Sequence, residues 1–531
     1  MKPLQVISPA DAAKRVADGA TLVSAGFVGA GHAEAVSRAI EQRFLASGHP
    51  RDLTLVYAAG QGDRSHRGVN HFGHAGLLQR VIGGHWISAP RLGALAHTNQ
   101  IEAWNLPQGV ITHLYRAIAG GKSGVVTKIG LHTFVDPRHD GGRLNALTAT
   151  SSLEPRVQLV TLGGVEQLFY PSLPLDVALI RATVADTLGN LACDEEPFHQ
   201  DLLAIAQAAH NSGGTVIAQV KRIVPAGSLA PNSVRVPGIL VDYLVLAEQP
   251  EDHWMTFGEA DFNPAYTSAP QLAPPRGAVP PLPLDARKII QRRALLELQR
   301  LSQPTVNLGV GMPAGLGAVA AEEGFAGFTL TVEAGPVGGT PADKLSFGAS
   351  AYPEAIIDHA AMFDFYDGGG LDIAFLGLAE FDPQGNVNVS RFGAGGEKIS
   401  GVGGFINITQ STPRVVFMGT LTTGGLQLAS GDGKLRIVQE GRQKKLLPTL
   451  QHLSFNGPYI ASLGRQVRYI TERAVFELRE GQLTLTEIAP GIDLQRDLLH
   501  ALGAPVAVAP DLLTMDERIF RDAPMGLGRP R

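Results

Sequence analysis

Cysteine is almost missing from this sequence. Cys193 stands alone among 531 residues, so no internal disulfide can form and the chain suits a reducing compartment. It sits in Leu191-Ala-Cys-Asp-Glu-Glu196 with no cation beside it, which gives it no reason to act as a nucleophile. Long hydrophobic runs are missing too. No uncharged apolar stretch approaches the ~20 residues that cross a bilayer. Residues Met1 to Ile7 lack the apolar core of a signal peptide and run into Ser8-Pro9-Ala-Asp11, a helix start with Ser as N-cap and Pro at N1. A cytoplasmic protein with no membrane partner is the expectation. Nor is there a Lys/Arg block or a basic stripe, and the net charge is only −5, so nucleic acid is not an expected partner. With 44% apolar and 18% charged residues the chain reads as soluble and globular, not disordered.

Glycine, by contrast, is plentiful: 63 residues, whose clusters must serve tight turns or close approach of backbone to a ligand. The length calls for more than one core. Proline marks the division. Between Ser268 and Pro283, six of sixteen residues are proline, a stretch unable to form helix or central strand. The expected organisation is a first domain over 1–267, a linker over 268–284 and a second domain over 285–531. Asp285 caps a helix from Ala286 to Leu301 with Ile289, Ile290, Leu295, Leu296 and Leu298 on its apolar face.

The two sides of the linker repeat each other. Leu175-Asp-Val-Ala-Leu-Ile is followed by Asp186 and Gly189-Asn190; Leu371-Asp-Ile-Ala-Phe-Leu is followed by Asp382 and Gly385-Asn386, all at an offset of 196 residues. Val23-Ser-Ala-Gly26 matches Val306-Asn-Leu-Gly309, and Val241-Asp-Tyr-Leu-Val matches Val467-Arg-Tyr-Ile-Thr. Strands are expected at Leu53–Tyr57, Val157–Leu162, Thr215–Val220, Phe328–Val332 and Val415–Met418. Their alternation with glycine turns and helical stretches predicts an α/β fold of two tandem, mutually similar domains, with mostly parallel sheets flanked by helices. In such pairs a site commonly lies between domains, at the carboxyl ends of strands.

The repeat also singles out a residue. Leu53-Thr-Leu-Val-Tyr-Ala58-Ala-Gly60 aligns with Phe328-Thr-Leu-Thr-Val-Glu333-Ala-Gly335, so Glu333 stands where its counterpart has a methyl group. A carboxylate at the end of an apolar strand has no packing purpose, and burying it costs several kcal/mol unless donors surround it. Two plainer readings compete: Glu333 caps a turn or pairs with Lys344, or it is the ribose-binding acid of a dinucleotide site. It lies 22 residues after Gly311 in Gly309-Val-Gly-Met-Pro-Ala-Gly315, but the glycine spacing is off and Pro313 interrupts it.

Thr331-Val-Glu333-Ala-Gly-Pro-Val-Gly-Gly-Thr-Pro341 resembles the active-site segment of family I CoA transferases, in particular the single-chain acetate/propionate (short-chain acyl) type. Other segments carry the same resemblance: Ala25-Gly-Phe-Val-Gly29, Trp104-Asn-Leu-Pro-Gln-Gly-Val110, Lys128-Ile-Gly-Leu-His-Thr-Phe-Val-Asp-Pro-Arg138, Val216-Ile-Ala-Gln-Val-Lys221, Phe363-Asp-Phe-Tyr-Asp-Gly-Gly-Gly370, Gly385-Asn-Val-Asn-Val-Ser390 and Gly401-Val-Gly-Gly-Phe405. It extends from about residue 5 to about residue 520.

The resemblance implies two fused domains corresponding to the subunits of heteromeric members, with the nucleophile in the second. It implies a ping-pong transfer of CoA between small carboxylic acids of the acetate, propionate and butyrate class, by way of a glutamyl-CoA thioester on Glu333. Glutamate has an ordinary pKa near 4 and is ionised at neutral pH, so no general base is required. Oxyanion donors are expected from the amides around Gly403-Gly404, with Val28 and Gly29 as a second candidate. Coenzyme A contacts fall by resemblance to Asn388, Gly401, Gly403, Gly404 and Phe405, with Lys398 for a phosphate. Gln108, Ala334, Gly335 and Pro336 would form the acid's pocket. Acyl-CoA is the substrate; no tightly bound cofactor and no metal are expected, and a homo-oligomer, dimer or tetramer, is. An acyl-CoA hydrolase on the same scaffold and a non-catalytic CoA or metabolite sensor are the alternatives.

Other features read as structural. His66, His71 and His74 cluster, but no carboxylate or cysteine at helical spacing completes a ligand set. Asp364 and Asp367 flank Tyr366 in what reads as a polar turn. The tail after Asp511 reads as a helix with an irregular end.

Overall fold

The computed structural model describes residues 4–151, 155–274, 281–393 and 395–528. Residues 275–280 of the Pro-rich stretch lie outside them.

The chain forms two compact units, and they are not the two halves of the sequence. The first comprises Met1–Ala273, Val332–Asp364 and Ser390–Asn407; the second comprises Pro274–Thr331, Phe365–Val389 and Ile408–Arg531. The first segment thus ends inside the expected linker, but two segments of the second half pack into the first unit. Backbone bonds show why: Trp86 N–H donates to Ser400 O at 2.8 Å, Gln108 N–H to Gly403 O at 2.9 Å and Gly403 N–H to Gly84 O at 2.8 Å.

In the first unit, seven strands make up the central parallel part of a ten-stranded sheet: β1 (Thr21–Ser24), β2 (Leu53–Tyr57), β3 (Leu78–Gly83), β4 (Glu102–Asn105), β5 (Val177–Asp186), β6 (Thr215–Val224) and β7 (Tyr243–Leu246), with Gln5–Val6 pairing parallel beyond β7. Their spatial order is β7-β6-β5-β1-β2-β3-β4, every neighbouring pair parallel. In the second unit β8 (Thr305–Leu308), β9 (Thr329–Thr331), β10 (Ile373–Gly377), β11 (Arg414–Met418) and β12 (Gln466–Ile470) run β9-β8-β10-β11-β12, also parallel. This is the order β2-β1-β5-β6-β7 again. Beyond β12 the sheet continues through Ala474–Arg479 and Gln482–Ile488 as antiparallel strands, then Ala507–Thr514.

The repeated identities are the hydrogen-bonding side chains of this common plan. Asp176 accepts the Thr21 N–H at 2.7 Å, and Asp372 accepts the Thr305 N–H at 2.8 Å, each fixing a strand start. After β5, Asp186 Oδ1 takes the N–H groups of Leu188 and Asn190, and Asn190 Nδ2 returns to Asp186 Oδ2 at 2.9 Å. After β10, Asp382 Oδ1 takes those of Gln384 and Asn386, and Asn386 Nδ2 reaches Asp382 Oδ2 at 2.8 Å. Each asparagine then accepts a glycine amide, Gly238 or Gly457, at 2.9 Å.

Each unit has its own core. Leu22, Leu55, Tyr57, Val81, Trp86, Leu179, Ile217 and Val245 are buried in the first. In the second, Asp285 caps the helix Ala286–Gln299 by accepting the Lys288 N–H, and Ile289, Ile290, Ala294, Leu295 and Leu298 are buried beneath it. Each large apolar side chain so buried contributes about 1.5–3 kcal/mol. The helix is covered on its polar side as well, where Arg292 meets Glu323 at 3.0 Å and Arg293 meets Glu487 at 2.6 Å.

Three local expectations change. The strand expected at Val157–Leu162 is Gln158–Leu162, and it belongs to a three-stranded antiparallel sheet, not the parallel one. Asp364 and Asp367 lie in the helix His359–Asp367, where Asp364 pairs with His113 at 2.9 Å and with Arg116, so it caps no turn. The stretch after Asp511 continues the strand Ala507–Thr514 and then makes a short 3₁₀ turn, Glu517–Phe520, in place of a helix. Among the described residues no helix is long and apolar enough to cross a membrane.

Candidate active site

Glu333 lies two residues beyond β9, on a tight turn. Gly335 N–H donates to Val332 O and Val332 N–H to Pro336 O, both at 2.9 Å. Pro336 and Val337 pair antiparallel with Ala355–Ile356, and a Cβ on Gly335, at φ +125°, would lie 2.0 Å from Ile357 O. Only glycine fits there. Ala334 is buried with Phe27, Ala59, Phe198, Val332 and Phe347. Gly335, Pro336 and Ala334 therefore brace the turn that presents Glu333.

Three groups address the carboxylate, all in the first unit. Gln108, at the start of the helix Gln108–Ala119, donates from Nε2 to Glu333 Oε2 at 3.0 Å. The Gly404 amide donates to it as well. A Cβ on Gly404 would lie 2.7 Å from Glu333 Oε2, so this approach also requires glycine. The same Gln108 nitrogen lies 2.9 Å from Nε2 of His359, whose Nδ1 is 2.8 Å from Asp201 Oδ2. Lys344 is not a partner; Glu333 faces neutral donors and a histidine.

Glu333 keeps a little solvent-accessible surface, yet the protein mass around its carboxyl group is dense. Desolvation raises its pKa to about 7, against the opposing pull of His359, the Gln108 amide and the Gly404 amide. This corrects the expectation of full ionisation at neutral pH. A carboxylate so held is poorly solvated, which makes it a stronger nucleophile once ionised.

Of the amides expected to serve as donors, Gly404 is the one directed at Glu333. That of Gly403 is spent on Gly84 O, that of Gly401 on Ser390 O and that of Phe405 on Val402 O. Val28, at φ 48°, gives its amide to Gly60 O at 2.5 Å, while its side chain borders the apolar cluster of Phe27 and Ala334. Gly29 packs its backbone against Leu345 O, where a Cβ would lie at 2.1 Å. Sequence reading missed His359 and Asp201 because no local pattern marks them; 158 residues separate the pair.

The family model described as Coenzyme A transferase matches residues 6–247. Caffeate CoA-transferase of Acetobacterium woodii is 44% identical over 524 residues, 98% of each chain. The chain belongs to the coenzyme A transferase family. Acetate CoA-transferase YdiF of Escherichia coli (strain K12) is 42% identical over 99% of this chain and 97% of its own. YdiF from Escherichia coli O157:H7, solved as the apoenzyme, superimposes with a TM-score of 0.91 at 42% identity over the same shares. The same protein solved as a thioester complex with CoA also gives 0.91. This protein is therefore a single-chain, family I CoA-transferase enzyme.

Within this CoA transferase the residues expected to contact CoA divide between the units. Gly401, Gly403, Gly404, Phe405 and the exposed Lys398 belong to the first, Lys398 opposite Phe392 in a two-stranded hairpin. Asn388 belongs to the second, buried, with Nδ2 2.7 Å from Glu380 Oε2. The histidine cluster meets carboxylates that sequence spacing did not reveal. His71 lies 2.9 Å from Glu34 and also touches Glu41, and His74 lies 2.6 Å from Glu41. Although burial opposes it, these carboxylates raise the His71 pKa to about 9, so the cluster is an ion-pair network. Among the described residues no group of three or more His, Cys, Asp or Glu could hold a metal ion. Burial pushes the Cys193 thiol far up, which leaves it unreactive.

Proposed function

We propose that this enzyme transfers CoA from short-chain acyl-CoA to small carboxylic acids of the acetate, propionate and butyrate class, in a ping-pong reaction through a glutamyl-CoA thioester on Glu333. The observation that carries the reading is the Glu333 carboxylate itself, set on a braced turn, bonded to Gln108 and the Gly404 amide, and held at a raised pKa.

Glu333 attacks the thioester carbonyl carbon, the C–S bond breaks, and CoA leaves as thiolate from an acyl-glutamyl anhydride. The thiolate attacks the glutamyl carbonyl, and the first acid leaves as its carboxylate. A second carboxylate attacks the glutamyl thioester, expels the thiolate and forms a new anhydride. Attack of the thiolate on the new acyl carbonyl yields the product and frees Glu333. No proton is consumed, so an acceptor of protons is not needed. Each step passes through a tetrahedral oxyanion, which the Gly404 amide and Gln108 are placed to stabilise by donation. Binding of the CoA nucleotide supplies free energy for the steps at the thioester. We assign it to Gly401, Gly403, Gly404, Phe405 and Lys398 on the first unit and to Asn388, with no tightly bound cofactor. The family likeness supports a homo-oligomer working in the cytoplasm.

The relatives are named for acetate and for caffeate, so the acid is where family members diverge. One methylene changes binding by only about 1–3 kcal/mol, so overlapping use of short acids is expected.

The test is the intact mass of the protein with acetyl-CoA or propionyl-CoA and no acceptor. Addition of CoA, mapped to the Glu333 peptide and removed by acetate, propionate or butyrate, is the expected result. Removal by caffeate alone would reassign the acid. CoA release without an adduct would make the enzyme a hydrolase, and neither adduct nor release would leave a CoA-binding sensor.

A further inference from the structure

We propose that His359, held by Asp201, is a positioning residue that fixes the Gln108 side-chain amide so that its N–H faces Glu333. This rests on the reading of Glu333 as nucleophile and adds two residues that neither motif nor spacing marks.

With Glu333 ionised, as its attack on the thioester requires, and His359 neutral, the geometry leaves one consistent arrangement of protons. The Asp201 carboxylate, buried at 7% exposure, accepts only, and Oδ2 lies 2.8 Å from His359 Nδ1, so Nδ1 carries the hydrogen. His359 Nε2 is then a bare acceptor, 2.9 Å from Gln108 Nε2. The Gln108 amide nitrogen has two hydrogens. One goes to His359 and the other to Glu333 Oε2 at 3.0 Å. In that state, turning the amide over would set its oxygen against a lone pair on His359 and against a carboxylate oxygen, two repulsive contacts.

The imidazole cannot easily swing away. His359 is 2% exposed, its backbone N–H donates to Gln200 O at 3.1 Å, and its ring stands edge-on to Phe27 at 5.6 Å and to Phe363 at 5.3 Å. The Gln108 backbone is anchored equally firmly by Gly403 O. What remains free in Gln108 is the rotation of its amide, and His359 removes it. The consequence is chemical. Through carboxylate, anhydride and thioester, an oxygen of Glu333 always needs a donor, and an amide free to turn would offer an acceptor part of the time.

The other titratable groups near Glu333 do not supply this control. His85, beyond Gly403, is held neutral by burial with a pKa of about 4, and burial raises that of Asp358, which precedes His359 in the chain. Neither is bonded to Gln108.

The experiment uses the full chain with His359→Ala, His359→Gln, Asp201→Asn and the double variant Asp201→Asn/His359→Ala, measuring kcat and KM for acyl-CoA from about pH 6 to pH 9. Outright removal of an oxyanion donor costs about 10²–10³-fold in kcat, so loss of its orientation should cost roughly 10- to 100-fold. His359→Ala should show that loss with KM for acyl-CoA nearly unchanged. The acid limb of the kcat profile should shift to higher pH, because Glu333 loses a donor to its charged form. His359→Gln, whose Oε1 can accept where Nε2 did, should recover part of the rate. Asp201→Asn changes almost no volume but removes the charge that fixes the ring proton on Nδ1: its amide can accept from Nδ1 or donate to it, so the tautomer is no longer set and the Gln108 amide is no longer held in one orientation. It should lower kcat in the wild-type background and have no further effect in His359→Ala.

A wild-type rate and acid limb in His359→Ala, or independent losses in the double variant, overturn the inference. If His359→Ala fails to fold by circular dichroism, Asp201→Asn decides alone: a folded protein with wild-type kcat overturns it equally. Failure of the wild type to form the Glu333 adduct overturns the nucleophile reading instead, and the two failures are told apart by that measurement.

Discussion

At the scale of the residue, the site rests on one expensive carboxyl group. Glu333 is held at about 7 where an unfolded chain leaves it at 4.5, so the folded protein binds a proton that the unfolded protein releases. A carboxyl group with a raised folded pKa loses stability as pH climbs. Its contribution is neutral below pH 4.5, and the cost grows through the interval up to about 7 and stands in full above it. Glu333→Gln removes that cost while keeping the shape. The variant should match the wild type in urea unfolding at pH 4 and exceed it by about 3 kcal/mol at pH 8. Activity should show the opposite face of the same shift. For the wild type, kcat/KM should fall about tenfold per pH unit below pH 7. An unperturbed glutamate would keep it flat to roughly pH 5.5. Glu333→Gln should give no CoA adduct at any pH. Equal stabilities at pH 8 would mean that donors around Glu333 repay its burial in full.

At the scale of the element, the same aspartate turn ends β5 and β10, and its conservation between the halves is energetic. Asp186 and Asp382 each receive two backbone amides of their own turn and an asparagine side chain while almost wholly buried, and Asp186 also takes the Gly227 N–H at 3.5 Å. Asp382→Ala strands three donors, and Asp186→Ala strands the matching three together with the Gly227 N–H. Each substitution should cost about 2–4 kcal/mol, given the penalty for unpaired buried donors, read as a lowered urea midpoint. A large loss in one and none in the other would show that the repeat survives in sequence without equal weight in the two sheets. These turns also explain what was legible beforehand. Asp, Gly and Asn within five positions act on each other locally, so the motif and its offset appear in a single chain, as do Ser8 capping Pro9–Lys14 and Asp285 capping Ala286–Gln299. Glu333 stood out because its counterpart is Ala58. Its surroundings did not, since Gln108 and Glu333 are 225 residues apart and Gln108 and His359 are 251 apart. The antiparallel placement of Gln158–Leu162 was equally hidden, because strand propensity carries no information about which sheet a strand joins.

At the scale of the whole molecule, a sequence that repeats in halves folds into units that do not follow them. Val332–Asp364 and Ser390–Asn407 carry Glu333, His359 and Gly404 into the first unit. They cover apolar groups there: Val332, Ala334 and Phe347 lie against Phe27, Ala59 and Phe198. They also take up backbone donors and acceptors at Gly84, Trp86 and Gln108. A polypeptide ending at residue 274 would leave those groups facing water, although it contains the entire parallel sheet β1–β7. Such a fragment should bind a hydrophobic dye and unfold well below the temperature of the full chain, because lost apolar burial costs about 25 cal/mol per Å². Co-expression with a second piece beginning at residue 281 should restore a stable, co-purifying pair, since the cut falls in the proline-rich stretch of the sequence. The CoA adduct should then map to the second piece, with Gln108 and Asp201 supplied by the first. A fragment that is stable and dye-silent by itself would mean that sheet and helices suffice, and that the inserted segments serve chemistry alone.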